Sequence, residues 1–234
     1  MTRRPANDPG QYDDLAAEWW KPRGAFAPLH WLAAARAALV PPASTGGAVL
    51  LDVACGGGLL APYAAPLGYR HVGVDIGGSA VRISREHGIE AVRGDVLRLP
   101  VRTESCDVVV AGEIFEHVAD LEGLVAEIAR VLAPGGVLVC DTLADTAVCK
   151  ALLVTIGERL PAVPRGIHDP ALFVDPRRLQ DLCGKHGIDL RVRGLRPAVL
   201  DVLPWLVHLR KDVRMLPIRW TGAVYQGLGR KVMT

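Results

Sequence analysis

The stretch GEIFEHV, residues 112–118, places two carboxylates and an imidazole within five positions, directly after the apolar run DVVVA. If it forms a helical turn, Glu113, Glu116 and His117 stand at i, i+3 and i+4 and share one face. That set suits a divalent cation such as Mg²⁺ with sites left open for a substrate. Two alternatives remain: a metal-free base at His117, beside Glu116, and acidic residues that only complement a helix dipole.

A second histidine, His168 in the stretch GIHDP, is also a candidate catalytic residue if its loop reaches the substrate; the alternative is a turn before Pro170. Trp19 and Trp20 fall on a predicted N-terminal helix. Packing in the core or under a lid is the favoured role for these two indoles, ahead of stacking on a substrate.

A glycine loop, LLDVACGGGLL, joins the first predicted strand to its helix. Gly56 and Gly58 let the backbone turn sharply, and the helix that follows directs unpaired N–H groups at a ligand. The loop has neither the G-K-[ST] ending of a P-loop nor the G-x-G-x-x-G spacing of a dinucleotide site. A nucleotide phosphate is therefore not the expected ligand.

Three aspartates end three successive predicted strands around this loop. Asp75 is placed to accept hydrogen bonds from both hydroxyls of a ribose, and Asp95 to meet an adenine edge or to cap the next turn. Asp52, just before the glycines, would lie near a positively charged group. Ile76 and Val96 follow two of these carboxylates and are expected to contact the same ligand. The pattern predicts a nucleoside without a pyrophosphate, of which S-adenosylmethionine is the best example.

Short apolar runs alternate with helical patterns from residue 48 onward. Five strands are predicted up to residue 143, and two more at 188–195 and 221–231. Strands without polar alternation, each followed by a helix, indicate a parallel sheet covered on both faces and hence a doubly wound α/β fold. Residues 12–39 predict two helices ahead of this sheet.

The composition limits the classes of partner. The formal charge of +2 gives no reason to expect a nucleic-acid binder. Five cysteines without C-x-x-C spacing favour a reducing compartment, so we expect a cytoplasmic protein. The apolar segments 143–160 and 198–220 carry basic residues at their edges. This pattern allows contact with a membrane surface or a cover over an apolar substrate, although such a stretch is more often part of the core or a homodimer face.

The motifs LLDVACGGG, GVDI, GDVLRLP, CDVVVAGEIFEHV and VLAPGGVLVC resemble those of class I S-adenosylmethionine-dependent methyltransferases. The flanks YDDLAAEWWKPRGAFAPLHWLAAAR and PRGIHDPALFVDPRRL resemble the ubiquinone-biosynthesis O-methyltransferase family, which methylates polyprenylated catechols. The resemblance spans about residues 12–195 and implies a seven-stranded, mostly parallel sheet. It also implies cofactor contacts from Arg36, from the glycine loop and from Asp75, and a divalent cation on E-x-x-E-H.

Two positions depart from the family pattern: Ala54 replaces the first glycine of the loop, and Gly112 stands where a methionine is common. Both are expected to line the cofactor site. The division that follows is a single domain over 1–234. It consists of a helical cap (1–45), a cofactor-binding core (46–141), a lid insertion (142–170), and a last part, 171–234, with a helix, strands and a substrate cover.

The sequence thus predicts an S-adenosylmethionine-dependent enzyme that methylates a hydroxyl of a small aromatic, quinol or natural-product acceptor. The alternatives are transfer to nitrogen or carbon of such a scaffold, or a non-catalytic cofactor-binding subunit.

Overall fold

One eight-stranded sheet organises residues 5–152 and 166–233, the part of the chain that the computed structural model describes. In chain order the strands are β1 (Val49–Val53), β2 (Arg70–Asp75), β3 (Glu90–Arg93), β4 (Cys106–Gly112), β5 (Leu132–Leu143), β6 (Ile188–Pro197), β7 (Met215–Ile218) and β8 (Val224–Lys231). Their order across the sheet is β3-β2-β1-β4-β5-β8-β6-β7.

The first five strands are parallel to one another, and β8 runs antiparallel to both β5 and β6, between which it lies. The doubly wound, mostly parallel fold is therefore confirmed. The predicted count of seven strands is one too few in the described residues, because β7 adds an antiparallel edge beside β6. Pro217 lies within this strand, and an edge position tolerates a residue that cannot donate a ladder hydrogen bond.

Helices pack around the sheet, and the first two of them precede β1 in the chain. They are α1 (Gly10–Asp14), α2 (Ala27–Ala37), α3 (Ala61–Ala64), α4 (Gly78–Glu86), α5 (Leu121–Val131), α6 (Ala147–Lys150), α7 (Pro176–Lys185) and α8 (Val199–Leu206). Asp175 caps α7, since its carboxylate accepts hydrogen bonds from two backbone N–H groups of the first turn. Residues 153–165 of the predicted lid insertion (142–170) lie outside the described residues.

The centre of the sheet is buried on both faces, as the unbroken apolar runs require. Four of the five residues of β1 are buried, and so are five of the seven residues of β4. The strand order reverses between β1 and β4, and in open α/β sheets ligands bind at such a point. Among the described residues, each helix is too short or too polar to cross a lipid bilayer.

Candidate active site

A cavity of about 680 Å³ opens at the carboxyl ends of the parallel strands. Most of the predicted site residues line it. They are Arg36, Asp52, Ala54, Gly56, Asp75, Ile76, Asp95, Val96, Gly112, Glu113, His117 and His168. Gly58 and Glu116 are the two predicted residues that do not. The sheet, α2 and the loop at His168 together gather positions that are more than a hundred residues apart in sequence.

The glycine loop folds around the carboxylate of Asp75. The N–H of Gly56 donates to Asp75 Oδ2 at 2.9 Å, and the N–H of Gly77 donates to Oδ1 at 2.8 Å. Burial raises the pKa of Asp75, and these two hydrogen bonds oppose the rise. The carboxylate therefore fixes the loop and also faces the cavity, as a ribose contact requires.

Gly58 was predicted to bind the cofactor, and the structure gives it a different role. Its φ is +81°, a conformation that favours glycine, and a Cβ there would press against Ser84 and Ile89 behind the loop. Gly58 therefore shapes the turn without lining the cavity. Ala54 also has a left-handed backbone, with φ at +57°, at a position where glycine would carry less strain.

The other two strand-end aspartates also border the cavity. Asp52 lies with its Oδ2 3.5 Å from Nε2 of His71, which can pair with it when protonated. Asp95 accepts a hydrogen bond from the N–H of Leu97 at 2.9 Å, so it caps the following turn and still lines the cavity. Both of the roles predicted for Asp95 are thus compatible with its position.

Two tryptophans of the N-terminal segment pack against the glycine loop. The indole of Trp19 packs directly on Gly56 and Gly57, and a Cβ on either glycine would overlap the ring. Trp20 donates from Nε1 to the carbonyl of Gly57 at 2.8 Å, and its ring stacks on His87 at 3.7 Å between centroids. Packing over the loop, as the sequence favoured, is what the structure shows.

A buried ion pair closes the floor of the cavity. Arg36 Nη1 lies 2.5 Å from Asp141 Oδ1, and both side chains are buried. The guanidinium lies over Gly112, where any Cβ would overlap it. Gly112 thus leaves space for the arginine. The N–H of Glu113 donates to the same Asp141 oxygen at 3.1 Å.

Acidic groups outnumber the arginine at this floor. Burial raises the pKa of Glu113 well above its usual value, and Glu116 and Asp141 raise it further while Arg36 opposes the rise. Burial likewise raises the pKa of Asp141. Glu113 Oε1 and Asp141 Oδ2 are buried and have no hydrogen-bond partner among the described residues. Such a floor favours a positively charged ligand.

The predicted helical face of Glu113, Glu116 and His117 is wrong. Glu113 has a φ of +53°, and only Phe115–His117 form a short 3₁₀ turn, so the α-helical spacing does not apply. The structure instead brings together Glu116, His117 and His168, whose candidate ligand atoms all lie within 4.8 Å of one another. His168 takes the place predicted for Glu113.

Burial controls the protonation of this group of three. It lowers the pKa of His117 to about 3, with a further contribution from His168, and lowers that of His168 to about 4. Burial raises the pKa of Glu116 to about 7, although a hydrogen bond of 2.6 Å from Thr142 Oγ1 to Glu116 Oε2 opposes it. Both imidazoles are thus neutral near pH 7. Glu116 Oε1 is buried without a hydrogen-bond partner among the described residues.

Comparisons with known proteins agree with this geometry. The family model described as "Methyltransferase domain" matches residues 51–140. The ubiquinone biosynthesis O-methyltransferase of Albidiferax ferrireducens is 33% identical over 223 residues, which cover 88% of this chain and 87% of the relative. That of Nitrosococcus oceani is 33% identical over 221 residues, covering 89% and 92%.

The chain belongs to the ubiquinone biosynthesis O-methyltransferase family. The prediction of an S-adenosylmethionine-dependent methyltransferase is therefore confirmed. A solved S-adenosylmethionine-dependent methyltransferase from Thermotoga maritima is similar in fold, with a TM-score of 0.66 at 19% identity over 94% of this chain and 96% of that one. Phosphoethanolamine N-methyltransferase 2 of Haemonchus contortus, solved with S-adenosyl-L-methionine, gives a TM-score of 0.62 at 14% identity, covering 95% of this chain and 60% of that one.

Sequence reasoning missed two side chains that hold His117 in this methyltransferase. Asn7 Oδ1 accepts from the Nδ1–H of the imidazole, while Asn7 Nδ2 donates to the His117 carbonyl at 3.0 Å. The hydroxyl of Tyr12 lies 3.2 Å from His117 Nε2. Because Asn7 accepts at Nδ1, the lone pair of the neutral ring is on Nε2. Both partners lie in the N-terminal segment, more than a hundred residues away in the chain.

Asp141 is the third residue that sequence reasoning missed. Its signal was present, since it is a lone acidic residue inside the apolar run VLVCDTL of β5. A buried carboxylate in such a strand requires a partner, and the arginine of α2 supplies it.

Proposed function

We propose that this methyltransferase transfers the methyl group of S-adenosylmethionine to a hydroxyl of an apolar aromatic acceptor, of quinol or catechol type. The observation that carries the proposal is that one cavity joins two chemically different ends. One end has the glycine loop and carboxylates, and the other has histidines and apolar side chains. The division into cap, core, lid insertion and cover is part of the same proposal.

At the donor end, the described residues fit the proposed cofactor. It supplies an electrophilic methyl on a positively charged sulfur. Asp75 would accept from the ribose hydroxyls, and Asp95 faces the position of the base. Arg36 uses Nη1 for Asp141 and has further N–H groups for a carboxylate. The excess of buried carboxylates at the floor supports binding of a cation.

At the acceptor end, apolar walls support an aromatic ring as the bound group. Leu143, Ile167 and Val224 line this end beside His117 and His168. A phenol has a pKa near ~10, so a hydroxyl acceptor must be helped to lose its proton. A neutral imidazole can accept that proton or bind a metal ion, and the lowered pKa of both rings favours the metal role, because a weakly basic imidazole is a poor acceptor of a phenol's proton.

We propose Glu116, His117 and His168 as the ligands of a divalent cation, in place of the predicted Glu113, Glu116 and His117. The unpartnered Glu116 Oε1 and the two neutral imidazoles form a suitable donor set. A bound cation would lower the pKa of an acceptor hydroxyl. The rival to this assignment is His117 as a metal-free base.

Cofactor binding is tested with an Asp75→Ala variant and titration calorimetry. We expect affinity for S-adenosylmethionine to fall about 10- to 100-fold, because hydrogen bonds to a charged carboxylate are lost. Asp181→Ala, which removes an exposed carboxylate from α7, is the matched control and should bind normally. Turnover on a soluble catechol, with the methylated atom identified by mass spectrometry, completes the test. No affinity for the cofactor in the parent protein would reject the proposal.

The metal assignment is tested with a chelator. We expect treatment to lower catechol turnover, and added Mg²⁺ or Mn²⁺ to restore it. Mn²⁺ binding measured by electron paramagnetic resonance should weaken about 10- to 100-fold in His168→Ala, since an imidazole ligand is lost. Unchanged turnover in chelator, together with no bound Mn²⁺, would leave His117 as the metal-free base.

We propose that the acceptor is a small aromatic molecule. We also propose that the protein itself contacts the membrane surface peripherally. Exposed apolar side chains near basic residues in the segment 198–220 support that contact. A homodimer also stays a prediction, which the molar mass in solution tests.

A further inference from the structure

Helix α8 (Val199–Leu206) presents its apolar face to solvent. Its most exposed members are Leu200, at 87%, and Val199, at 69%, and Leu209 just beyond the helix is 80% exposed. The rest of this group is also more than half exposed. We call the whole set the α8 face: Val199, Leu200, Leu203, Leu206, Val207 and Leu209. Spacing of three to four residues puts the helical members on one side.

The helix is held in this orientation by polar contacts on its other side. Asp201 is buried and accepts hydrogen bonds from Arg214 Nε at 2.7 Å and from Arg210 Nη1 at 3.1 Å. Hydrogen bonding from Arg214 lowers the pKa of Asp201 to about 2, so the pair is charged across the physiological range. The acidic residue thus points inward and the leucines point outward, the reverse of an ordinary surface helix.

Aromatic and cationic contacts fasten the same inner side to the N-terminal cap. Trp205 packs edge-on against Trp31 with ring centroids 5.1 Å apart, and the Arg23 guanidinium lies 5.4 Å from the centre of the Trp205 ring. Arg23 also donates to the backbone carbonyls of Trp205 and Arg210. Ala25 and Phe26, which follow Arg23 in the chain, line the cavity. The inner side of α8 is therefore fastened to the segment that also contributes to the cavity wall.

The stretch of sequence that contains α8 has a net positive charge. Residues 196–220 contain five basic and two acidic residues, and one of those acids is the buried Asp201. Arg196, Lys211 and Arg219 are exposed, and none has a carboxylate within ion-pair distance in the described part of the chain. An exposed leucine face whose flanking segments carry an excess of basic residues matches a surface that is apolar inside and anionic outside.

We infer that the α8 face is the docking surface of this protein on an anionic lipid bilayer, with the leucines in the interface and the basic residues at the headgroups. A second copy meeting through the same face would bring its own arginines and lysines opposite, so charge disfavours that occupant. The inference rests on the peripheral contact in the proposed function and names its surface and its lipid class. It does not depend on which acceptor is methylated.

The test is flotation of the full chain with phosphatidylcholine vesicles, with and without phosphatidylglycerol. We expect binding only to the anionic vesicles, weakened by added salt because surface charges are screened. Leu200→Glu should weaken that binding about tenfold or more, since it puts a carboxylate into the interface. Met233→Glu is the matched control, because Met233 is 81% exposed but lies beyond β8, away from α8.

A charge control completes the design. Lys211→Gln should reduce binding to anionic vesicles, whereas Arg102→Gln, which removes an exposed cation on the loop before β4, should not. Turnover on a soluble catechol should be the same for Leu200→Glu and the parent, so a failed docking inference is distinguishable from a failed enzyme assignment. Equal vesicle binding by Leu200→Glu and Met233→Glu would overturn the inference. Failure of the parent protein to bind anionic vesicles would also overturn it. If, in addition, the parent were a dimer and Leu200→Glu a monomer, the α8 face would be a dimer interface instead.

Discussion

Replacing His117 with alanine is expected to lower kcat by about 10²- to 10⁴-fold while cofactor affinity stays nearly unchanged. The imidazole lines the acceptor end of the cavity, whereas the groups that hold the cofactor come from the glycine loop, Asp75 and Arg36. Its ring is fixed by Asn7 and Tyr12 and lies 5.2 Å from His168 between centroids. Whether it binds a cation or accepts a proton, it must act on the acceptor.

The measurement pairs steady-state kinetics on a soluble catechol with titration of the cofactor. His186→Ala is the control, since this histidine ends α7 and does not line the cavity. A combined loss of turnover and of cofactor affinity in His117→Ala would point to a structural role instead. Turnover retained by His117→Ala would exclude both the metal and the base.

Replacing Arg36 with alanine is expected to lower the free energy of unfolding by about 3–5 kcal/mol at neutral pH. The variant leaves Asp141 buried without its ion-pair partner, next to Glu113, whose carboxyl is buried as well. We also expect cofactor binding to be lost, because Arg36 lies in the cavity wall. Urea unfolding measures the first effect and calorimetry measures the second.

Lowering the pH should restore part of the free energy of unfolding that Arg36→Ala loses. Burial raises the folded-state pKa of Asp141, and removing Arg36 takes away the group that holds it down. The folded variant then binds a proton that the unfolded chain has already released, so its stability falls as pH rises above ~4. The deficit relative to the parent should be smaller near pH 5 than near pH 7.

Arg82→Ala is the control for that variant. Arg82 also pairs with a carboxylate, Glu86 at 3.0 Å, but both side chains are mostly exposed. Its loss should cost less than ~1 kcal/mol. A similar, small effect of both substitutions would contradict the importance of the buried pair, and Asp141→Asn added to Arg36→Ala should recover stability if the unpaired charge is the cause.

Much of the donor end could be predicted because parallel strands present their carboxyl ends at one edge. Asp52, Asp75 and Asp95 each lie at or just after the end of a predicted parallel strand, so topology alone brings them together. Less of the acceptor end could be predicted from the sequence. Its residues come from the N-terminal segment, from the turn after β4 and from the loop at His168, and their pairing depends on packing between distant segments.

Local spacing failed where the backbone left regular structure. The i, i+3, i+4 argument assumed an α-helix, but Glu113 adopts a left-handed conformation after β4 and points its carboxyl at the floor. Gly58 was similar to its neighbours in sequence, yet it faces α4 instead of the cavity. Short irregular turns carry no periodic signal, so side-chain direction within them follows from tertiary contacts.

The position of β8 determines when the sheet can be completed as the chain is synthesised. β8 leaves the ribosome after β6 and β7, yet it lies between β5 and β6 and, in the described part of the chain, alone joins them by ladder hydrogen bonds. Until it emerges, β5 and β6 each have an unpaired edge that can join a foreign strand. The sheet therefore cannot be completed until β8, which ends at Lys231, has been synthesised and has left the ribosome. Before that point the exposed strand edges are most prone to aggregate, and chaperone binding would have its largest effect.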